Sequence, residues 1–566
     1  MRDPLAIRLF QHVSIEKEDW FGDLMERLVK EHQLAPSSRK NLKLIGLLHH
    51  VHRLGARLIV IHDHYLCPDY LGDYSSLYSR MARPPRSHRA IRLLFFKSNK
   101  SQAEVLFHLE HGINGRVPAD AASWKEYADS IGLIGFTVIR PTPDCLIGRT
   151  VLPSIPENGF ITCTDTYLAH LYGTPLYVRG VPWLEQDASH FRCSGAALWA
   201  CAYHTQTRWG LPHYSPGELT ALARRFGVSG HVSRGLTGSE MATAIREWGF
   251  DPYSCIFNAD DDDKQWLENL FAYAHMLLES NISVVLGYWQ PGRRGHAVLA
   301  VGHGLSKKAV GAAKPDRLRS TTDWVDTFVV ADDQRAPYTP IRLRNGDPTT
   351  DAADDFLSKA AAWAGKTDTV EIPSATKPLT ECKRVTMVAP IPRGLRVLPE
   401  QVLPIARVAL QYVPKMIVPG PGLSSTEAAK RRQPFLDIVH HPARYALRAS
   451  LTQLKDFHWG LKTGQGWDSL VIDLQQAYLM MAWPTWLWVV QVVELHTNTS
   501  DEVDWSKSHA VGEVLIDATA SPIGTRCAAF ALRVKDTLVY CPDHNSSARK
   551  IVRLSKGNHS FPVVCP

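Results

Sequence analysis

Helical and strand-like patterns alternate along the N-terminal part of the chain. The segment WFGDLMERLVKEHQL (20–34) carries apolar residues at helical spacing. The segments ARLIVIHDHY (56–65), AIRLLFFKS (90–98) and IGFTVIRP (134–141) contain continuous apolar runs of the kind that form buried strands. We therefore predict an N-terminal α/β region over residues 1–145.

Helix boundaries are marked most clearly in the middle of the chain. SPGELTALARRFG (215–227) and TGSEMATAIREWG (237–249) each open with a capping box and end at a glycine, so we predict a helix in each. Before them, CSGAALWACAYH (193–204) is rich in small residues, which lets a helix pack closely against a neighbouring sheet.

Predicted strands follow these helices. ISVVLGYW (282–289) and HAVLAVGHG (296–304) are expected to pair around the turn QPGRRG, and DTFVVADD (326–333) supplies a further strand after a longer loop. A cysteine-bearing helix, two more helices and then a sheet define a middle domain, which we place at residues 146–345.

A stretch rich in Gly, Pro, Thr and Asp comes next. We predict a linker over residues 346–378, with one short helix inside it. Beyond the linker, CKRVTMVAPIP (382–392), PTWLWVVQVVEL (484–495) and GEVLIDATAS (512–521) are typical of strands separated by helices. We expect a C-terminal α+β region over residues 379–566, and α+β as the fold class of the chain.

One apolar segment, AYLMMAWPTWLWVVQVVEL (477–495), is nearly long enough to cross a membrane. It contains Pro484, Gln491 and Glu494, which a membrane-spanning helix disfavours. We predict instead the end of a helix, a break at the proline and then a buried strand, and no membrane span.

Composition is that of an ordinary globular protein, with 566 residues, 45% hydrophobic and 21% charged. The net charge of +7 allows an anionic partner but does not require one. The ten cysteines form no CxxC pair and the N-terminus lacks an apolar signal core, which favours free thiols in a reducing compartment, the cytoplasm.

Three segments suggest ligand binding only weakly. IHDHYLC (61–67) has alternating histidines but no second cluster with zinc-ligand spacing. NADDDDKQW (258–266) lacks the glycine and the distal glutamate of a calcium loop, so we predict a solvated acidic turn. The basic segment 81–100 places its two phenylalanines inside a strand pattern, so we expect core packing rather than nucleic-acid binding. No metal site is predicted.

Cys193 stands where an irregular segment gives way to a helix. The free N–H groups and the dipole at a helix start favour the thiolate, which is the nucleophilic form of cysteine. A lone cysteine is more often a small core residue, and we predict that role for Cys201, together with Trp199, on the same helix. A catalytic cysteine also needs a base and a group that orients the base.

His296 opens one predicted strand and Asp332 closes the next. If these strands are antiparallel neighbours, the two residues meet at one edge of the sheet. Asp332 would then accept an imidazole N–H and leave the other ring nitrogen facing the thiol. Asp333 is the alternative orienting acid, although it begins a turn where short acidic side chains commonly bond their own backbone. Gln186, seven residues before Cys193, could donate to an oxyanion together with the cysteine backbone N–H.

This order of residues resembles that of the papain-like cysteine peptidases. The segments that carry the resemblance are EQDASHFRCSGAALWA (185–200), RRGHAVLAVG (293–302) and FVVADDQRAPY (328–338). The nearest branch is the bacterial one that trims leader peptides of secreted bacteriocins, and the whole chain is similar to large bacterial proteins with a peptidase-like middle domain. That branch usually has Asp-Cys-Gly at the nucleophile, where this chain has Arg-Cys-Ser, and its glutamine is usually one residue closer to the cysteine.

The resemblance implies a papain-like core, a helix packed on an antiparallel sheet, flanked by α/β regions that gate a cleft or recognise a substrate. It implies a thiol-dependent hydrolase that cleaves a peptide or isopeptide bond in a protein or peptide substrate. Cys193 would attack the substrate and His296 would move the proton. Asp332 would orient the imidazole of His296, and Gln186 would hold the oxyanion. No metal or organic cofactor would be needed. Two alternatives remain: acyl transfer to an amine by the same triad, as in transglutaminases, and a catalytically dead fold that serves as a binding or scaffold protein. The oligomeric state is not indicated.

Overall fold

A computed structural model of the chain describes residues 10–15, 20–30, 41–81, 84–85, 87–97, 132–142, 147–155, 159–171, 174–187, 192–225, 235–258, 264–291, 295–310, 317–335, 337–344, 362, 378–463, 472–520, 528–541 and 550–553. The predicted linker, apart from residues 362 and 378, lies outside these residues, as do the four aspartates at 260–263 and the predicted helix end at Gly227.

The strands, in chain order, are β1 Phe10–Ser14, β2 Leu58–Tyr65, β3 Ala90–Phe96, β4 Leu133–Ile139, β5 Ile147–Leu152, β6 Phe160–Ile161, β7 Asp165–Leu171, β8 Thr174–Trp183, β9 Asp251–Asn258, β10 Val284–Trp289, β11 His296–Leu305, β12 Arg319–Ser320, β13 Val325–Ala331, β14 Thr339–Arg342, β15 Arg384–Ile391, β16 Tyr445–Gln453, β17 Trp486–Glu494, β18 His509–Asp517, β19 Ala529–Val534, β20 Thr537–Tyr540 and β21 Lys550–Arg553.

The α-helices are α1 Trp20–Lys30, α2 Leu42–Arg53, α3 Pro68–Ser76, α4 Cys193–Trp209, α5 Pro216–Arg224, α6 Gly238–Glu247, α7 Lys264–Glu279, α8 Pro399–Met416, α9 Ser425–His440, α10 Leu454–Thr463 and α11 Ile472–Leu479. Short 3-10 helices cover Tyr78–Arg80, Thr321–Trp324, Leu379–Glu381 and Pro442–Arg444.

The first sheet has seven strands in the order β1-β2-β3-β4-β5-β8-β7. Its neighbours pair antiparallel throughout, so the N-terminal strands do not form the predicted α/β unit. The cause of this error is that a run buried on both faces looks the same in a parallel and an antiparallel sheet. The strands themselves are confirmed: every residue of β3 is buried, including Phe95 and Phe96 of the basic segment.

The second sheet has the order β14-β13-β11-β10-β15-β9, and β6 pairs with β11. β10 and β11 pair antiparallel as predicted, with Tyr288 opposite His296. β15, which follows the predicted linker, lies on the other side of β10. The third sheet has the order β12-β16-β17-β18-β19-β20-β21, with β12 parallel to β16 and the other strands antiparallel. The α+β class is confirmed.

Two compact units cut across the regions predicted from the sequence. One unit consists of residues 1–261, 282–302 and 327–390, and the other of 262–281, 303–326 and 391–566. The first unit therefore contains both the first sheet and most of the second. Its strands span the boundary predicted at residues 145 and 146, and β15 comes from beyond the boundary predicted at 378 and 379. Hydrogen bonds between distant strands, which local patterns do not reveal, cause this difference.

The helix starts that were predicted from capping residues are confirmed. Ser215 with Glu218 and Thr237 with Glu240 form the predicted capping boxes at the starts of α5 and α6. The apolar segment at 477–495 contains the end of α11, a break that includes Pro484 and the strand β17, as predicted. Among the described helices, none combines the length and the apolar character that crossing a bilayer requires.

Candidate active site

Cys193 is the first residue of α4, a helix whose following residues are almost all buried. The helix begins here because the N–H groups of Gly195 and Ala196 already bond the carbonyl of Arg192, at 2.9 and 3.1 Å. The first N–H groups of a helix have no carbonyl partner within it, so they favour a negative charge at this end. Cys193 itself is only half-buried, and it is a free thiol.

The helix is held in place along its length by buried contacts. Leu198, Trp199 and Cys201 are fully buried, as predicted for the latter two, and the indole N–H of Trp199 donates to Asp69 at 3.3 Å. His204, one turn from the helix end, lies 3.2 Å from the hydroxyl of Ser283 just before β10. α4 is therefore anchored to the strand that pairs with β11, and this anchoring fixes the position of Cys193.

His296 and Asp332 meet where β11 begins and β13 ends in the second sheet, as the order of strands predicts. β11 and β13 are neighbours in that sheet, His296 opens β11 and Asp332 directly follows β13. The distance from His296 Nε2 to Asp332 Oδ1 is 2.9 Å. Because Nε2 faces the carboxylate, Nδ1 is the ring nitrogen left for other partners.

The Cys193 side chain is one of the groups that act on the His296 ring. Burial alone would lower the pKa of His296, but the charge of Asp332 and the hydrogen bonds with Asp332 and Cys193 raise this pKa well above its usual value. The ring therefore tends to carry a proton near neutral pH. A protonated imidazole beside a thiol favours the thiolate, which is the reactive form.

Asp332 is almost completely buried and bonded on several sides. Its Oδ1 also accepts the backbone N–H of Gln334 at 2.9 Å, and its Oδ2 lies 3.7 Å from the guanidinium of Arg335. Its backbone carbonyl accepts the indole N–H of Trp183 at 2.7 Å. Burial raises the pKa of Asp332, but His296, Arg335 and the Gln334 N–H outweigh it and bring the pKa below its usual value. The carboxylate is thus held ionised in one orientation.

Asp333, the alternative orienting acid, is in a different situation. It is buried, and its Oδ1 lies 3.9 Å from His296 Nε2, too far for a hydrogen bond. Neither of its carboxyl oxygens has a hydrogen-bond partner among the described residues. Burial and the neighbouring charge of Asp332 raise the pKa of Asp333, although His296 and Lys43 oppose the shift. The geometry favours Asp332 for the orienting role.

Gln186 lies in a segment whose backbone is fixed on both sides. Glu185 pairs with Lys43 at 2.8 Å, and its other carboxyl oxygen accepts the N–H of Ile147 at 3.0 Å. Asp187 accepts the hydroxyl of Tyr78. Gln186 is half-buried, and no hydrogen bond joins it to Cys193 among the described residues. Its part in the site rests on the order of residues alone.

The sequence analysis missed Gln334, whose amide nitrogen lies 3.3 Å from His296 Nδ1. It also missed Tyr288, whose ring meets the imidazole edge-on at 5.6 Å between centroids. A signal for Tyr288 was present, because a residue opposite His296 on a paired strand has to contact it.

Two groups of described residues have the spacing to hold a cation. One consists of His296, Asp332 and Asp333, whose ligand atoms lie within 4.8 Å of one another. The other group is in the second unit and is described below. Among the described residues, the histidines of segment 61–67 do not form a group with metal-ligand spacing. His62 lies 3.1 Å from the guanidinium of Arg92, and His64 is exposed.

Comparisons of the chain with protein-family models, with curated proteins and with solved structures give no significant match. Function therefore has to be argued from the geometry of the site.

Proposed function

We propose that this chain is a thiol-dependent hydrolase that cleaves a peptide or isopeptide bond in a protein or peptide substrate. The observation that carries the proposal is the 2.9 Å pair of His296 with the buried Asp332, together with the interaction of the Cys193 side chain with the same imidazole. A nucleophile, a base and an acid that orients the base, each on a separate element, are the three parts that thiol catalysis requires.

In the proposed reaction, the thiolate of Cys193 attacks the substrate carbonyl carbon and the carbonyl π electrons move to oxygen. The oxyanion is held by the N–H of Cys193 and the side-chain N–H of Gln186. His296 then gives its Nδ1 proton to the leaving amine, and the C–N bond breaks to leave a thioester. A water that loses a proton to His296 attacks the thioester, which releases the acid and restores the thiolate. Asp332 keeps the ring oriented throughout.

We further propose that α4 and the second sheet form a papain-like core. Support comes from the order of the parts: a helix that begins at the cysteine, a strand that begins at the histidine and a strand that ends at the acid. The antiparallel pairing of β10 with β11 and of β13 with β14 agrees with this arrangement. The first sheet, in the same compact unit, would be an addition to such a core.

Acyl transfer to an amine is the second candidate, because it passes through the same thioester and differs only in the acceptor. The binding or scaffold alternative is less favoured, because a dead site has no need of a thiol beside an imidazole that is held by a buried carboxylate.

The test is to incubate the full-length protein with a peptide mixture derived from a bacterial lysate and to follow the products by mass spectrometry. We expect new peptide ends that disappear in Cys193→Ala. Cys201→Ala is the matched control, because Cys201 lies on the same helix but is fully buried. Adding a primary amine separates the candidates: amide products without hydrolysis indicate acyl transfer. If wild type and Cys193→Ala give identical peptides, with and without amine, the proposed function is wrong.

A further inference from the structure

A second cluster of chemically active side chains lies in the other compact unit, and the proposed hydrolase reaction does not use it. His275 and Glu279 stand one turn apart on α7, so both project from the same face of that helix. His303 comes from the end of β11. One ligand atom from each of these three side chains lies within 4.8 Å of the other two.

The ligand atoms converge on a common point. Glu279 Oε1 lies 2.6 Å from His303 Nε2 and 3.6 Å from His275 Nε2. Ligands of a tetrahedral ion with bonds of about 2.0–2.1 Å lie on the order of 3.3 Å apart, so the first of these distances would have to widen by about 0.7 Å and the second to shorten by about 0.3 Å to admit an ion. The two rings stand edge to face with centroids 4.5 Å apart.

His275 Nε2 is buried and has no hydrogen-bond partner among the described residues. The other nitrogen of the same ring, Nδ1, is occupied, because it lies 3.1 Å from the hydroxyl oxygen of Thr322. Histidine ligands of metals almost always bond an outer partner through the second nitrogen in this way, which fixes the ring and its tautomer. Leaving a buried ring nitrogen without a partner costs free energy unless a ligand occupies it.

Arg448 orients the carboxylate from the opposite side. Its Nε lies 2.7 Å from Glu279 Oε2, and Nη2 also contacts that oxygen. Oε1 is thereby left facing the two imidazoles. The guanidinium charge opposes a cation, so we expect weaker binding than at a site of the same ligands without a neighbouring arginine.

We propose that His275, Glu279 and His303 form a binding site for a divalent transition-metal ion, with Zn²⁺ the favoured occupant. Two imidazoles and one carboxylate are ligands that Zn²⁺ accepts, and a water or hydroxide can complete the tetrahedron. The side chains of the three residues are only 2%, 4% and 2% exposed, which indicates a closed site that ties α7 to β11 rather than one open to substrate.

The test measures metal bound to the full-length protein in a Cys193→Ala background, so that the half-buried thiol does not compete. After removal of metal with a chelator, Zn²⁺ is titrated against a chromophoric competitor, and Co²⁺ is titrated separately by visible absorption. We expect one ion per chain, a cobalt spectrum with nitrogen and oxygen ligands but no sulfur charge-transfer band, and a higher melting temperature with Zn²⁺.

His275→Gln and His303→Gln should each weaken Zn²⁺ binding by at least tenfold, and Thr322→Val by about tenfold through loss of the outer partner. His496 is an exposed histidine of the same unit, so His496→Gln is the control. It should bind Zn²⁺ as tightly as the Cys193→Ala protein, which is the parent of all these variants. If a histidine variant fails to fold, the Thr322→Val result and the cobalt spectrum of the parent still decide. The proposal is overturned if the parent binds no more Zn²⁺ than the two glutamine variants, if Thr322→Val binds as tightly as the parent, or if cobalt shows thiolate ligation.

Discussion

Replacing Asp332 by asparagine is the sharpest test of the contact chain at the candidate active site. The change keeps the size of the side chain but removes the charge that faces His296 Nε2 at 2.9 Å. A hydrogen bond between charged groups contributes about 1.5–3 kcal/mol, which corresponds to a fall of roughly 1–2 units in the pKa of His296. The ion pair of thiolate and imidazolium loses the same stabilisation, so the thiolate fraction at mildly acidic pH should fall by about 10- to 100-fold.

The assay needs no substrate. Limiting iodoacetamide is applied between about pH 4.5 and 9, a range that spans the usual imidazole and thiol pKa values, and the labelling rate of the Cys193 peptide is measured by mass spectrometry. In the wild type we expect substantial labelling of Cys193 below neutral pH, and more of it than at any other cysteine. In Asp332→Asn the rate should rise only toward the pKa of an ordinary thiol.

Asp333→Asn is the matched control, because it makes the same chemical change one residue away, on a carboxyl that bonds nothing described. Near neutral pH it should alter the labelling rate by less than about threefold, because burial already favours the uncharged form of this carboxyl. If Asp333→Asn removes the labelling at low pH while Asp332→Asn keeps it, the orienting acid is misassigned by one residue. If neither variant changes the profile, His296 is not the partner of the thiol.

Three further outcomes are expected. Gln186→Ala should lower kcat by about 10²- to 10³-fold while leaving the alkylation of the nucleophile unchanged, since an oxyanion donor acts only in the transition state; equal losses in both would contradict that role. The His296–Asp332 pair should stabilise the fold most between about pH 4 and 6.5. The raised pKa of His296 contributes fully below the ordinary histidine pKa, and the lowered pKa of Asp332 contributes fully above the ordinary aspartate pKa. In urea unfolding, the loss of stability caused by Asp332→Asn should therefore shrink as the pH rises through the folded-state pKa of His296 and as it falls through the folded-state pKa of Asp332. Thr237→Ala should cost about 1 kcal/mol in the same assay by removing one half of a capping box, and an unchanged midpoint would show that this helix start is not part of the cooperative unit.

Elements defined by local chemistry could be predicted from the sequence, whereas pairings between strands far apart in the chain could not. The capping box of Thr237 and the break at Pro484 involve neighbours in the chain, so the pattern contains the whole cause. The pairing of β15 with β10 depends on hydrogen bonds between residues about a hundred positions apart, such as Gly287 and Thr386. No local pattern encodes such a pairing, which brings β15 into the first compact unit.

Helix α7 was missed although its signal was present. Leu267, Leu270, Phe271 and Ala274 recur at helical spacing and are all buried. This helix carries two of the three residues of the proposed metal site, His275 and Glu279.

At the candidate active site, the contact of His296 with Asp332 could be predicted from the sequence, because one residue opens a strand and the other directly follows a neighbouring strand. The sequence alone does not explain why a second acid, Asp333, stands beside Asp332, because the two side chains are identical and differ only in their surroundings. A buried carboxyl without a partner costs on the order of 1–3 kcal/mol, so the presence of Asp333 calls for a physical account. Were both acids ionised, two negative charges would hold the proton on His296 and slow its release to a leaving group. Burial beside an ionised neighbour instead raises the pKa of Asp333 and keeps it uncharged over a wider pH range. The pair can therefore orient the imidazole with one full charge, while Asp333, whose pKa is raised to about 7, adds its charge to the site only as the pH passes through neutrality.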